Sequence, residues 1–208
     1  MARIKKEQRQ QILGQTRLRL LDAAAEEFAR AGYSDANINT ISTAAGFAKG
    51  TIYNYYPSKR ALLLALIDNA AQEHFDFIVD RVRPEPDVQR RLEILFRAGF
   101  EYIAHSPTRS RVLFNTINGP DEALKAHVFE AYQPIFRFVA EEILVLGYER
   151  SIFRPVEPDS MALLLMTIYL GTASQLDAQG RPWLDPGQVA GLVLHGLLKE
   201  KDTNRDHD

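Results

Sequence analysis

The 208-residue sequence contains no cysteine, which excludes disulfides and thiolate metal sites. It also lacks a long apolar run. Its most apolar stretch, Met161–Ala173, falls short of the about 20 residues that a membrane-spanning helix requires. The N-terminal "MARIKKEQRQQIL" is basic and has no apolar core of the kind that marks a secretory signal. A cytoplasmic protein with no membrane partner is therefore expected. The five histidines (74, 105, 127, 195 and 207) never fall into a His-x-x-x-His spacing, so no metal site is expected. Gly-x-Ser-x-Gly and Gly-x-Gly-x-x-Gly are absent, and Glu141 and Glu142 are adjacent, which points them in different directions on a helix. These absences leave no residue set for an enzyme, and no cofactor is expected.

The net charge of −2 hides an asymmetry. Residues 1–60 hold 10 Lys and Arg against 5 Asp and Glu, a balance of +5, and the remainder is acidic by 7. A basic front on an acidic body suits a polyanionic partner at the front alone.

Apolar spacing is helical almost throughout. Leu20, Ala24, Phe28 and Ala31 form one stripe, and Gly32 sits where a helix would end. Asn37 suits an N-cap, with Ile38, Ile41 and Ala45 on one face before Gly46. A second short helix is predicted from Ala48 or Lys49 to Pro57, and Ser58 should cap a longer one that "RPEP" (83–86) stops. Further helices are predicted over about 87–105, 108–117, 121–147, 158–178 and 186–200, followed by a polar tail, "KEKDTNRDHD". The expected fold is all-α: an N-terminal three-helix helix-turn-helix DNA-binding domain (1–60) and a C-terminal helical effector-binding and dimerisation bundle (61–208).

The stretch "GFAKGTIYNYYPSK" (46–59) carries the chemistry. Ile52 and Tyr56 are i, i+4 neighbours and should face the core, leaving Lys49, Gly50, Tyr53 and Asn54 on the other side. Lysine offers charge to a phosphate or guanine, tyrosine a hydroxyl to phosphate, asparagine an amide to adenine, and glycine lets the backbone approach a groove. "GFAKGT" is no phosphate loop, since the order is Lys-Gly-Thr and no strand precedes it.

"LLDAAAEEFARAGY" and "INTISTAAGFAKGTIYNYYPSKRALL" resemble the TetR family of bacterial transcriptional regulators over roughly residues 17–65. The resemblance implies a homodimer on a double-stranded DNA operator. Asn37 would touch phosphate, Lys49, Gly50, Thr51 and Asn54 would face bases, and Tyr53, Tyr55 and Lys59 would hold the backbone; Ala48 belongs to the same DNA-binding set but brings no hydroxyl contact. Ala48 stands where the family often has serine, Tyr55 where it often has histidine, and Phe47 where it often has a small aliphatic residue. Arg60 takes a position often held by glutamate.

For the C-terminal part, the aromatics on the predicted helices 87–105 and 121–147 and the mid-helix Pro134 point to a cavity. In the family this bundle encloses an effector, so Phe96, Phe100, Phe129, Tyr132 and Phe136 are the expected walls for an apolar or aromatic small molecule. The resemblance also implies a four-helix dimer interface from the last two helices, through Leu170, Val189, Leu192, Val193, Gly196 and Leu197. A transcriptional repressor is the expected function. The alternative is a helical adaptor of the same fold acting through protein contacts without sequence-specific DNA binding.

Overall fold

The computed structural model describes residues 2–175, 177 and 182–198, with side chains from residue 8 onward. The polar tail (199–208) and the predicted helix ends beyond 175 and 198 lie outside these residues. Helix α1 spans Ala2–Asp35, α2 Ile38–Ala44, α3 Lys59–Val82, α4 Val88–His105, α5 Pro107–Ile117 and α6 Glu122–Ala131. Helix α7 spans Gln133–Val139 and runs through a π-helical turn (Ala140–Val145) into α8, Leu146–Glu149; α9 is Pro158–Ala173 and α10 Pro186–Leu197. Among the described residues no strand forms. Phe153 and Leu198 make an isolated antiparallel bridge. The predicted all-helical fold is what the chain adopts.

Helix starts follow local chemistry. Pro107, Pro134, Pro158 and Pro186 sit in the first or second position of their helices, where a missing N–H costs nothing. Glu157 accepts hydrogen bonds from the Asp159 and Ser160 amides, and Asp185 accepts one from Gln188. Three boundaries differ from the sequence reading, one of them the end of α9, which stops at Ala173 rather than near residue 178. Helix α1 starts at Ala2, well ahead of the stripe that begins at Leu20, because the intervening Gln-, Arg- and Lys-rich run consists of good helix formers. It is broken at Gly32, with φ 76° and ψ 169°, a region that only glycine visits readily. The helix expected over 121–147 is also broken. Pro134 supplies no N–H for the turn before it, so α6 ends at Ala131 and Tyr132 takes φ −90°, ψ −1°.

The chain divides into two compact units, which cut it differently from the functional boundary expected at residue 60. The first comprises residues 1–72 and 106–131, the second 73–105 and 132–208. Helix α3 contributes to both. In the first unit α1 packs on α2 and α5, and α5 on α6. Leu20, Phe28, Ile41, Ile52, Leu62 and Leu66 form its fully buried centre. In the second unit α4 packs on α9 and α10, and α7 on α9, around Leu92, Phe96, Ile135, Val139, Ile143 and Phe153.

Helices α4 and α9 approach closely at Gly99. A Cβ there would lie 2.5 Å from Cε2 of Tyr169. Gly99→Ala should therefore destabilise the protein by about 1–3 kcal/mol, as overpacking of a core does. Urea denaturation with an unchanged slope would verify this, and an unchanged midpoint would show that Tyr169 moves aside without cost.

Candidate functional site

The segment after α2 is built by its own backbone. Gly46, at φ 83°, ends α2. Its N–H donates to Thr43 O at 2.9 Å, and the Phe47 N–H donates to Ser42 O at 2.9 Å. This is the paired closure of a Schellman motif, which glycine permits without strain. The Ser42 hydroxyl, wholly buried, donates to Ala48 O at 2.7 Å and ties the turn back to α2.

The next element is shorter than the predicted α-helix. Gly50 takes φ 84° and opens a single 3₁₀ turn, Thr51–Asn54, held by Tyr53 N–H on Gly50 O at 3.1 Å. The segment lies between two stops, Gly46 and Pro57, with a left-handed glycine inside it. That leaves no room for a regular helix. The facing is nevertheless as the spacing predicts. Ile52 and Tyr56 are buried, Ala48, Lys49, Tyr53 and Asn54 are exposed, and Gly50, Thr51 and Tyr55 are half-buried. An open groove of about 510 Å³ runs beside them, lined by Asn37, Asn39, Thr40, Thr43, Ala44 and Lys49. Asn37, which is exposed, caps α2 by accepting the Asn39 N–H at 2.9 Å.

Three side chains that the sequence reading did not single out as site residues hold this surface. Arg19 donates to Ala45 O at 2.7 Å, closing the C-terminal end of α2, and its guanidinium lies 5.0 Å from the centre of the Phe47 ring. Glu27 is 6% exposed and accepts the Asn37 N–H at 3.1 Å while pairing with Arg30 at 2.6 Å. Arg60 pairs with Asp121 at 2.8 Å. The bonds to Asn37, Ala45 and Asp121 have no local sequence signal, since their partners are 10 to 61 residues apart. Lys59, expected on a DNA backbone, directs its ammonium onto Ser34 O (2.7 Å) and Ala36 O (3.2 Å), 5.1 Å from the centre of the Tyr33 ring. Two of its three N–H groups are thus used inside the protein.

The expected effector residues divide between the units. Phe96, Phe100 and Tyr132 are buried in the second unit and Phe136 is half-buried there. Phe129 lies in the first unit and is 48% exposed. Arg109 pairs with Asp22 at 2.9 Å and donates to Asn69 at 3.2 Å, both within the first unit. The residues expected at a dimer interface also divide. Val189 and Leu197 are buried inside the second unit, because they fall on the face of α10 turned toward its own core. Leu192 is 78% exposed, Gly196 is exposed, and Leu170 and Val193 are half-buried. Leu163 and Leu164 on α9 are also exposed. Among the described residues no cluster of ligating side chains could hold a metal, and no helix is long and apolar enough to cross a membrane.

The bonds from Arg30 and from the Asn37 amide hold the Glu27 carboxyl below its ordinary pKa of 4.5. A lowered folded value means that this carboxylate stabilises the folded state fully above 4.5 and less as pH falls through the lowered value. Glu27→Gln should therefore narrow the stability difference between neutral and acid solution, as read by urea midpoints. An identical acid loss in the two proteins would show that Glu27 does not clamp Asn37.

The description "Bacterial regulatory proteins, tetR family" matches residues 20–66. The chain is 43% identical over 188 residues to the HTH-type transcriptional regulator YdgC of Bacillus subtilis, covering 88% of this chain and 93% of that protein. It is 28% identical over 205 residues to the HTH-type transcriptional repressor KstR2 of Mycobacterium tuberculosis, covering 87% and 92%. Three other curated relatives are matched over only 42–45% of their own length. The solved structure of the transcriptional regulator FadR from Bacillus subtilis in complex with stearoyl-CoA superposes with a TM-score of 0.74 at 19% identity, over 86% of this chain and 95% of that one. With a nearly full-length relative at this identity and the family pattern over its helix-turn-helix, the chain belongs to the tetR family of bacterial regulatory proteins.

Proposed function

We propose that the protein is a one-component transcriptional repressor that binds a palindromic operator as a homodimer and releases it on binding a small, largely apolar molecule. The observation that carries this reading is the exposed row Ala48, Lys49, Tyr53 and Asn54, presented on a turn that Gly46 and Ser42 lock to α2. Lys49, Gly50, Thr51 and Asn54 meet base edges, with Ala48 packing against the groove wall. Tyr53, Tyr55, Asn37 and the remaining N–H of Lys59 meet phosphates. The surplus of positive charge in residues 1–60 supports a polyanion there.

The exposed leucines 163, 164 and 192 support a partner copy on α9 and α10, since exposed apolar side chains on two helices favour burial. The buried aromatics of the second unit support an apolar effector, as does the acyl chain of the stearoyl-CoA bound in the FadR structure. Helix α3, which contributes to both units, is the element through which effector and operator would be coupled. Such coupling is reciprocal: whatever factor the effector takes from operator affinity, the operator takes from effector affinity.

Selection of bound genomic fragments would identify the operator and test the reading directly. On that operator Lys49→Ala or Asn54→Ala should relax preference at particular base pairs by about 1–3 kcal/mol per lost bidentate contact. Gel-shift titrations on single-substituted operators would measure it, and unchanged specificity in both variants would remove this turn from the groove.

Leu192→Glu should give a monomer by light scattering, because burying an unpaired carboxylate in an apolar contact is costly. The same variant should lose operator affinity, although its reading turn is untouched. A wild-type mass of one chain at micromolar concentration would sink the dimer.

A further inference from the structure

Among the described residues of the second unit, His74 is the one buried basic side chain, with 1% of its surface exposed. Its ring stacks on Tyr102, with centroids 4.1 Å apart and planes at 5°, and meets the edge of Tyr132 at 5.8 Å. Its Nε2 lies 3.2 Å from the Tyr169 hydroxyl, and that hydroxyl donates to Gly99 O at 3.0 Å. A phenol has a single hydrogen. Once it is given to Gly99, the Tyr169 oxygen can only accept, so the hydrogen between the two residues belongs to Nε2. Nδ1 is then the bare nitrogen, a lone pair with no partner among the described residues. The opposite tautomer would bury an N–H donor without an acceptor, the rarer arrangement in proteins.

A phenyl ring at this position would stack on Tyr102 equally well and would bury no unpaired acceptor. The surroundings also exclude charge. Burial holds the His74 imidazole neutral by lowering its pKa to about 3, and burial pushes the Tyr132 and Tyr169 hydroxyls up, so they too stay neutral. Among the described residues of this unit no lysine or arginine is buried. A ligand carboxylate would therefore meet no compensating cation, whereas a hydroxyl or N–H would meet a waiting lone pair.

We infer that the effector carries a neutral hydrogen-bond donor, a hydroxyl or N–H on an apolar skeleton, and that Nδ1 of His74 is its acceptor. This rests on the effector-binding reading above. Tyr169 is then a positioning residue, since its bonds to Gly99 and Nε2 set the tautomer.

The test uses the full chain and three probes of matched chain length: decanol, its methyl ether and decanoate, titrated by calorimetry. Decanol should bind about tenfold more tightly than the ether, the worth of one well-made buried hydrogen bond. His74→Phe should bring the two within about twofold of each other while keeping the affinity for the ether. In nitrogen NMR the bare Nδ1 resonance should move on adding decanol and stay in place on adding the ether. Tyr169→Phe, which frees the ring to change tautomer, should shrink the same ratio and stands in if His74→Phe does not fold. Equal binding of alcohol and ether by the wild type, a ratio that survives in His74→Phe, or tightest binding of decanoate would overturn the inference and leave the effector reading intact. Binding of none of the three would overturn the effector reading itself, and the inference with it.

Discussion

Helix α3 has to be buried twice, and the rest of the structure is arranged around that demand. Leu62, Leu63, Leu66 and Ile67 are core residues of the first unit, while Ile78, Val79 and Val82 are core residues of the second. No glycine or proline interrupts residues 59–82, so the helix is regular throughout and spans about 36 Å at 1.5 Å per residue. The Ser58 hydroxyl accepts the Ala61 N–H at 3.0 Å at its start, and Pro84 lies just beyond its end. Lys59 and Arg60 in its first turn clamp the end of α1 and the start of α6, and His74 in its second half enters the aromatic cluster. One helix thus ties down α1 and α6 in the first unit and carries the buried imidazole of the second.

The proposed reading surface contains little regular structure. A single 3₁₀ turn presents Tyr53 and Asn54, with Lys49 just before it, because the precision comes from its anchors rather than from its own hydrogen bonds. Ile52 is buried beneath it, Ser42 holds Ala48 from below, and Arg19 and Glu27 close the two ends of α2. Most of these anchors donate to or accept from backbone groups, which side-chain substitution on the exposed face does not disturb. The exposed residues are thereby separated from the residues that hold the shape.

Among its described residues the second unit keeps buried polar groups few and neutral. Three tyrosines surround one histidine, and the hydroxyl of Tyr169 is shared between a ring nitrogen and a helix carbonyl. Gly99 makes that arrangement possible, since any side chain at this position would collide with the Tyr169 ring. The π-helical turn at Ala140–Val145 and the break at Tyr132 lie on the helices that pack beside it. Arg83 and Arg91 meet Glu142 on that turn, at 2.6 Å and 3.7 Å, which ties it to the ends of α3 and α4.

By itself the sequence determined the helical class, most helix starts, the turn at Gly46 and the division of residues 48–56 into buried and exposed. Each of these follows from local rules: proline and asparagine at helix starts, glycine at positive φ, and apolar residues one turn apart. It could not determine that Lys59 bonds to Ser34 and Ala36, that Glu27 holds Asn37, or that Val189 and Leu197 turn inward on the same helix that turns Leu192 outward. It also placed Phe129 with Phe96 and Phe100, whereas the fold assigns it to the other unit and leaves it half in solvent. His74 was legible only as one of five scattered histidines. Tertiary structure decided its role, because its partner Tyr169 is 95 residues away and the carbonyl that sets their shared hydrogen belongs to a third helix. A hydrogen bond carries no trace in local spacing when its donor and acceptor meet only after the chain has packed.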